Sequence, residues 1–388
     1  MPYAQAEEVL RENLLNRLGP VIIHAPTGDV VLDKELALRD NAAYLVRKAK
    51  KGETLSLAYS REWVDMESVL LELCRKNSRG AVDAELSFSA NGFGFTAEIP
   101  GLACDYNGLL QDVTKLLDTG GEINLRVLQY SPENTETRLR ERTQKLASFT
   151  TFFDQSNAPR THNIALAASR IAGTVLNPGE EFSFNQTVGE RTEQNGFAVA
   201  AVIEAGEFVP GVGGGVCQAS TTLFGAALRA GLKITESRAH SLSVGYVPPS
   251  LDAMVSSSSD LRFFNPYDFP VYLLGATSGG SVTFSFYGMP DGKRYETESV
   301  VLSKIQPPEP EIVEGERGIL KREKEGIKSE SFLLVYGEGG KLISRTRIRK
   351  DCYAAVRGKV GALPVEEQIE PPETEVQEQP PAEDAPPV

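Results

Sequence analysis

A run of glycine that opens onto a cysteine constrains this chain more than any other feature. In Gly211-Val-Gly-Gly-Gly-Val-Cys-Gln-Ala-Ser-Thr-Thr-Leu223, four glycines in five positions lead to Cys217. Glycine accepts positive φ and lets the backbone come close to another group. The residues after Cys217 have helical spacing, with Leu223, Ala227 and Ala230 on one face and Gly231 as the stop. A thiol on the first turn of a helix meets unpaired N–H groups and the positive end of the dipole, both of which favour thiolate. His240 follows in Arg238-Ala-His-Ser241, and Asp252 comes after it.

A nucleophilic cysteine needs a lowered pKa, access, and a base held by a third group. Cys217 fits the nucleophile and His240 the base. Asp252, with Asp260 as second choice, fits the orienting acid on a neighbouring strand. The order Cys, His, Asp is that of papain-like and transglutaminase-like enzymes. Backbone N–H groups of Gly213, Gly214, Gly215 and Gln218 are the expected oxyanion and substrate contacts. Arg191 and Arg238 are the cations suited to a carboxylate-bearing substrate.

Blander readings stand beside these. A free cysteine is commonly buried, and a glycine-rich lead into a helix also serves close packing. The loop could cradle an anion at the helix start, but it lacks the Lys-Ser/Thr ending of a nucleotide P-loop. Ser220, Thr221 and Thr222 suit caps as well as ligand contacts, and the two arginines suit ordinary ion pairs. A redox-sensing role lacks a resolving cysteine nearby. His24 reads as structural, and His162-Asn163 as a helix start. No His/Asp/Glu cluster has metal-ligand spacing, so neither metal nor other cofactor is expected.

At 388 residues the chain exceeds one ordinary core. Residues 1–36 read as a helix over Val9 to Leu18 and a hairpin of Val21 to Ala25 with Val30 to Leu32. Residues 37–130 read as a small α+β unit: helices over Met66–Cys74 and Leu109–Leu117, an Asn-Gly hairpin over Ala84–Glu98, and a closing strand over Glu122–Leu128. The unit holds no titratable constellation, which suits a binding or spacer module. Residues 131–149 form a connector, helical over Arg138–Ala147. Residues 150–290 carry the glycine–cysteine motif, with helices first and then strand-like runs over 240–247, 253–257, 261–264, 271–274 and 282–287, an α+β order. After the stiff Pro307-Pro-Glu-Pro310, residues 302–362 form a small all-β module with a hairpin of Lys328–Tyr336 and Lys341–Ile348. Residues 363–388 form an acidic, Pro-rich tail expected to be disordered. The fold class is therefore α+β and multidomain.

The net charge of −13 owes more than half its size to eight carboxylates between Glu366 and Asp384. The remainder offers no electrostatic footprint for nucleic acid. No run of about 18 apolar residues suits a membrane span. The first residues lack a signal-peptide pattern, so the protein is either cytoplasmic or exported by a segment upstream of this start. Four scattered cysteines make a disulfide framework unexpected. Pairing of Cys74 with Cys104 is an option, but two buried thiols are the favoured reading.

Several motifs together resemble one family. They are His162-Asn-Ile-Ala-Leu-Ala-Ala, Asn177-Pro-Gly-Glu-Glu-Phe-Ser-Phe-Asn185, Val188-Gly-Glu-Arg-Thr192, the Gly213–Leu223 run, Arg238-Ala-His-Ser241 and Asp252-Ala-Met-Val255. Their order over residues 150–290 resembles VanW-like proteins, named for an accessory protein of some vancomycin-resistance clusters. Met254 stands where the family usually has threonine. The resemblance implies a Gram-positive, extracytoplasmic, envelope-associated protein, and assigns no reaction. Residues 37–130 resemble the peptidoglycan-binding domain that often precedes a VanW-like segment, with residues 1–36 as a partial repeat. Residues 302–362 resemble a divergent G5 domain. Peptidoglycan or another wall polymer is then the expected partner. Two functions remain open: a Cys–His hydrolase or transferase of wall peptide bonds, and a non-catalytic wall-binding or scaffolding protein.

Overall fold

The computed structural model describes every residue except 33–35, 205–206, 315–317 and 363–388. The expected disorder of the tail therefore concerns residues outside the description. The fold is α+β, as its residue pattern requires, and the chain divides into two compact units, Met1–Gln144 and Lys145–Val388.

In the first unit, strand Val21–His24 pairs antiparallel with Val30–Val31 and parallel with Gly121–Asn124. Helices Met66–Lys76 and Tyr106–Leu116 present Leu70, Leu73, Leu109 and Val113 to the core, where they meet Val21, Ile23, Trp63 and Ile123. The expected hairpin forms as Glu85–Ser89 with Gly92–Thr96, and Gly92 at φ 106° makes the turn possible. The stretch expected to be one closing strand is two, Gly121–Asn124 and Val127–Tyr130, because each pairs with a different neighbour. His24 lies between Asp29 and Glu122, in keeping with a structural role.

Cys74 and Cys104 are not two buried thiols: they form a disulfide, with Cα atoms 5.2 Å apart. Helix Met66–Lys76 and strand Gly101–Cys104 bring together residues separated by 30 positions, a proximity that sparse cysteine spacing does not reveal. Closing a loop of that length restricts the unfolded chain by about 3–4 kcal/mol. Reduction, or the Cys74→Ala/Cys104→Ala pair, is expected to lower the stability of this unit by about that amount. Urea unfolding with and without reductant, followed by Trp63 fluorescence, measures it.

The second unit is built on a four-stranded sheet in the order Gln144–Phe152, Ser281–Gly288, Val271–Ser278, Thr174–Leu176. Residues 144–147 are thus strand rather than the end of a connector helix, which is confined to Glu136–Glu141. Ser281–Gly288 alternates strictly, burying Val282, Phe284 and Phe286. Against them pack helix Ala158–Ile171, through Ile164, Ala167, Ala168 and Ile171, and helix Val216–Arg229. The first of these begins earlier than expected, with Asn157 as its cap, so His162 and Asn163 lie inside it. A second sheet joins Glu181–Ser183, Arg262–Phe264 and Lys233–Glu236. Beyond these, Arg294–Ile305, Gly326–Tyr336 and Leu342–Tyr353 form an antiparallel sheet of long strands.

The cysteine helix, Val216–Arg229, is not amphipathic. It is buried almost all round, including Gln218, Ser220, Thr221 and Thr222. Such a helix must satisfy every polar side chain internally. Thr222 Oγ1 donates to the Gln218 carbonyl (2.7 Å), and Ser220 Oγ reaches the Ala253 carbonyl (2.5 Å). Thr221 Oγ1 accepts from the Ala253 N–H (2.9 Å). Ser220 and Thr221 thereby fasten the helix to the segment around Asp252.

Candidate active site

Local backbone geometry explains the glycines first. Gly215 is the N-cap of the cysteine helix at φ 105°, a left-handed conformation suited to glycine. Gly214 sits so close to strand Val199–Glu204 that a Cβ there would lie 2.5 Å from the Ala201 carbonyl oxygen and 2.7 Å from the Ala200 carbonyl carbon. The buried Asn163 pins the loop: its Nδ2 donates to the carbonyls of Ala198 (2.9 Å) and Gly214 (3.0 Å), and its Oδ1 accepts from the Ala198 N–H (2.8 Å). Gly214→Ala must displace backbone and is expected to cost about 2–3 kcal/mol. A lowered urea midpoint with unchanged slope checks this.

His240 and Asp252 do not lie on strands. The expected strands over 240–247 and 253–257 are irregular chain, held from outside by side chains. His240 Nδ1 and its backbone N–H both meet Asp252 Oδ2, at 2.6 and 2.8 Å. The other carboxylate oxygen accepts from Arg349 (2.9 Å) and from the Tyr353 hydroxyl (2.5 Å). Arg349 also bonds the Asp252 carbonyl. The Tyr353 hydroxyl in turn accepts from the Ser250 N–H (2.6 Å), and Ser250 Oγ pairs with Ser329 Oγ (2.8 Å). Ser250, at φ 63°, is the non-glycine residue of positive φ among the described residues. Such a conformation persists where surrounding structure fixes it, and here Tyr353 and Ser329 do so.

With Nδ1 committed to Asp252, the other ring nitrogen, Nε2, is left for another partner, and His240 lines the same cavity as Cys217, near enough for each to shift the other's titration. Cys217 Sγ also contacts the Val255 carbonyl at 3.4 Å. Burial pushes the thiol up, but His240, with lesser help from a backbone bond at Val255 and from Arg191, holds it below its ordinary value. Burial disfavours the imidazolium, yet Asp252 and Cys217 prevail, and the His240 pKa is pushed up to about 9. Burial likewise opposes ionisation of Asp252, but His240 and Arg349 keep its carboxyl below the usual range. The two shifts, down for the thiol and up for the imidazole, both favour the thiolate–imidazolium form of the pair.

The thiol opens into a cavity of about 780 Å³, a volume typical of ligand pockets. Gly213, Gly214, Gly215, Gln218, Arg191 and His240 line it with Cys217. Asp252 stands behind His240. Arg238 lies elsewhere: its side chain is exposed and does not line the cavity, while its carbonyl accepts from the Met254 N–H (2.7 Å). The Gln218 N–H donates to the Gly215 carbonyl (2.9 Å), and its side chain is bound by Thr151, Phe152 and Arg160. Among the described residues, the Cys217 N–H has no hydrogen-bonded partner. Asp260 caps Asn185 and Leu261 and is not part of the group.

Four further residues matter that the sequence reading passed over. Arg160 and Tyr246 line the cavity. Burial, then the Cys217 charge, pushes the Tyr246 hydroxyl well above its ordinary range. Arg349 and Tyr353 come from strand Leu342–Tyr353, about a hundred residues beyond Asp252. Arg160 was detectable in principle as a cation one turn before Asn163. Nothing local distinguishes Arg349 and Tyr353 from the alternation of a β-strand.

An α+β unit that seats a helix-borne thiol against a carboxylate-held histidine has the layout of a Cys–His–acid site. Residues 159–287 match the family described as VanW like protein. The chain is also 47% identical over 146 residues to the uncharacterized protein YoaR of Bacillus subtilis (strain 168). That similarity covers 37% of this chain and 48% of the relative, so the chain spans about half the length of the curated relative it matches. No solved structure matches. No helix among the described residues is long and apolar enough to cross a membrane.

Proposed function

We propose that this is an extracytoplasmic, wall-associated protein whose VanW-like domain cleaves or transfers peptide or amide bonds of peptidoglycan through Cys217. The observation that carries the reading is the double grip of Asp252 on His240, which fixes the tautomer and leaves Nε2 for the thiol. In the reaction, the Cys217 thiolate attacks the amide carbonyl carbon. The Cys217 N–H, at the helix start, stabilises the oxyanion. As the C–N bond breaks, the departing amine takes a proton from His240 Nε2. Water then attacks the thioester carbonyl carbon and gives a proton to His240 Nε2 as the C–S bond breaks and Cys217 leaves as thiolate, or an acceptor amine takes the place of water in transfer. Residues 37–130 and 302–362 would hold the wall polymer. The Cys74–Cys104 disulfide supports an oxidising, extracytoplasmic setting.

Graded-pH labelling with iodoacetamide, read by mass spectrometry, tests the thiol. Cys217 is expected to react faster than a free thiol below pH 8, and purified peptidoglycan incubated with the protein is expected to release new amine or carboxyl ends. A Cys217 slower than a free thiol in folded protein, with no such release, would leave wall binding without catalysis as the function.

A further inference from the structure

Two arginines border the glycine turn. A Cβ on Gly215 would lie 3.0 Å from Arg160 Cγ, and one on Gly213 would lie 2.9 Å from Arg191 Cβ. The stems thus occupy room that the missing side chains leave, one at each end of the turn. Both residues line the cavity with Cys217. Their bonded partners are neutral: Arg160 donates to Gln218 Oε1, and Arg191 to Asn185 Oδ1 at 2.7 Å. Neither forms an ion pair with a carboxylate among the described residues.

The partners are themselves fixed. Gln218 Nε2 is held by Thr151 and Phe152, and Asn185 Nδ2 by the carbonyls of Ser256 and Ser259. Burial pushes both guanidinium pKa values down, and the Cys217 charge only partly opposes this. Asp260 is near Arg191 but already accepts from Ser183, Asn185 and Leu261. Glu190 lines the cavity with its side chain exposed. Two oriented, partly desolvated guanidiniums without a carboxylate are costly to maintain unless a ligand supplies an anion.

We infer that Arg160 and Arg191 form a carboxylate clamp, so that the substrate is a peptide bearing a carboxylate beside the scissile amide. The substrate part of this inference rests on the thiol chemistry proposed above. The carboxylate can come from the C-terminal residue or from an acidic side chain.

Iodoacetate and iodoacetamide are of similar size and differ in charge, so the ratio of their rates at Cys217 cancels the thiolate fraction. That ratio is expected to fall about tenfold in Arg160→Gln and in Arg191→Gln, as loss of one charge-assisted bond implies. A ratio unchanged in both variants overturns the clamp. A second measurement needs no reactive thiol: calorimetric titration of Cys217→Ser with N-acetyl-alanyl-alanine, its C-terminal amide, and N-acetyl-glutamyl-alanine amide. At least one acid is expected to bind about tenfold more tightly than the neutral amide, with the advantage lost in Arg191→Gln. The acid preferred identifies the source of the carboxylate. Equal or absent binding of all three overturns the clamp. Slow iodoacetamide labelling with acid preference intact would instead remove the catalytic reading and keep the clamp.

Discussion

Replacing His240 with alanine is expected to slow iodoacetamide labelling of Cys217 at pH 7 by at least about tenfold, because each unit of thiol pKa above the working pH costs about tenfold in thiolate. Burial alone raises the thiol, and His240 is the chief group that overcomes it. Without the imidazolium, only Arg191, the helix start and a backbone bond at Val255 remain to favour thiolate, and the labelling profile should shift toward high pH. In the wild-type protein the rate should rise as pH climbs through the lowered thiol pKa. It should then change again near pH 9, where His240 loses its proton. The same titrations govern stability. A histidine raised to about 9 stabilises the fold fully below its ordinary value and ceases to do so as pH rises through about 9. A lowered cysteine contributes above its unfolded pKa, and that contribution is lost as pH falls through the folded one. Urea midpoints at pH 7 and pH 10 for wild type and His240→Ala test the histidine part: the wild-type advantage should shrink at the higher pH.

Asp252→Ala should be the most destabilising single change in the second unit, at about 3–5 kcal/mol. The carboxylate is buried and takes bonds from the His240 ring, the His240 N–H, Arg349 and Tyr353. Removing it strands a guanidinium, an imidazole and a phenol together, which costs far more than one lost bond. Tyr353→Phe should cost less, about 1–3 kcal/mol, since it leaves the Ser250 N–H and one Asp252 oxygen short of a partner. Denaturant titration measures both. The tyrosine variant should also loosen His240, visible as a broadened pH profile for Cys217 labelling.

Cys217, His240 and Asp252 were legible as a candidate group because their signals are local: a glycine run before a helix, then a histidine and an aspartate in order. The helix start at Cys217 follows from Gly213 to Gly215, since few other sequences accept that backbone. The surroundings of His240 were not legible as strands because their regularity comes from elsewhere. Ala253 is fixed by Ser220 and Thr221, and Ser250 by Tyr353 and Ser329. A segment shaped by side chains of distant elements can carry apolar alternation without pairing as a strand. The same reason hid the Cys74–Cys104 disulfide, whose partners meet only after a helix and a strand have packed. Arg238 shows the converse error, since proximity in sequence to His240 does not bring its side chain to the cavity.

The strand that supplies Arg349 and Tyr353 lies outside the family segment, which ends at residue 287. The structural unit of this site is consequently larger than the matched segment. A fragment cut after the matched segment would keep the thiol, histidine and aspartate in its sequence while losing two of the donors that hold the aspartate. A replacement for the C-terminal strands would have to return a cation and, four residues later, a tyrosine to the same register. Two stretches that read as separate modules thus share one buried carboxylate, and neither can be cut away without exposing the other's polar groups.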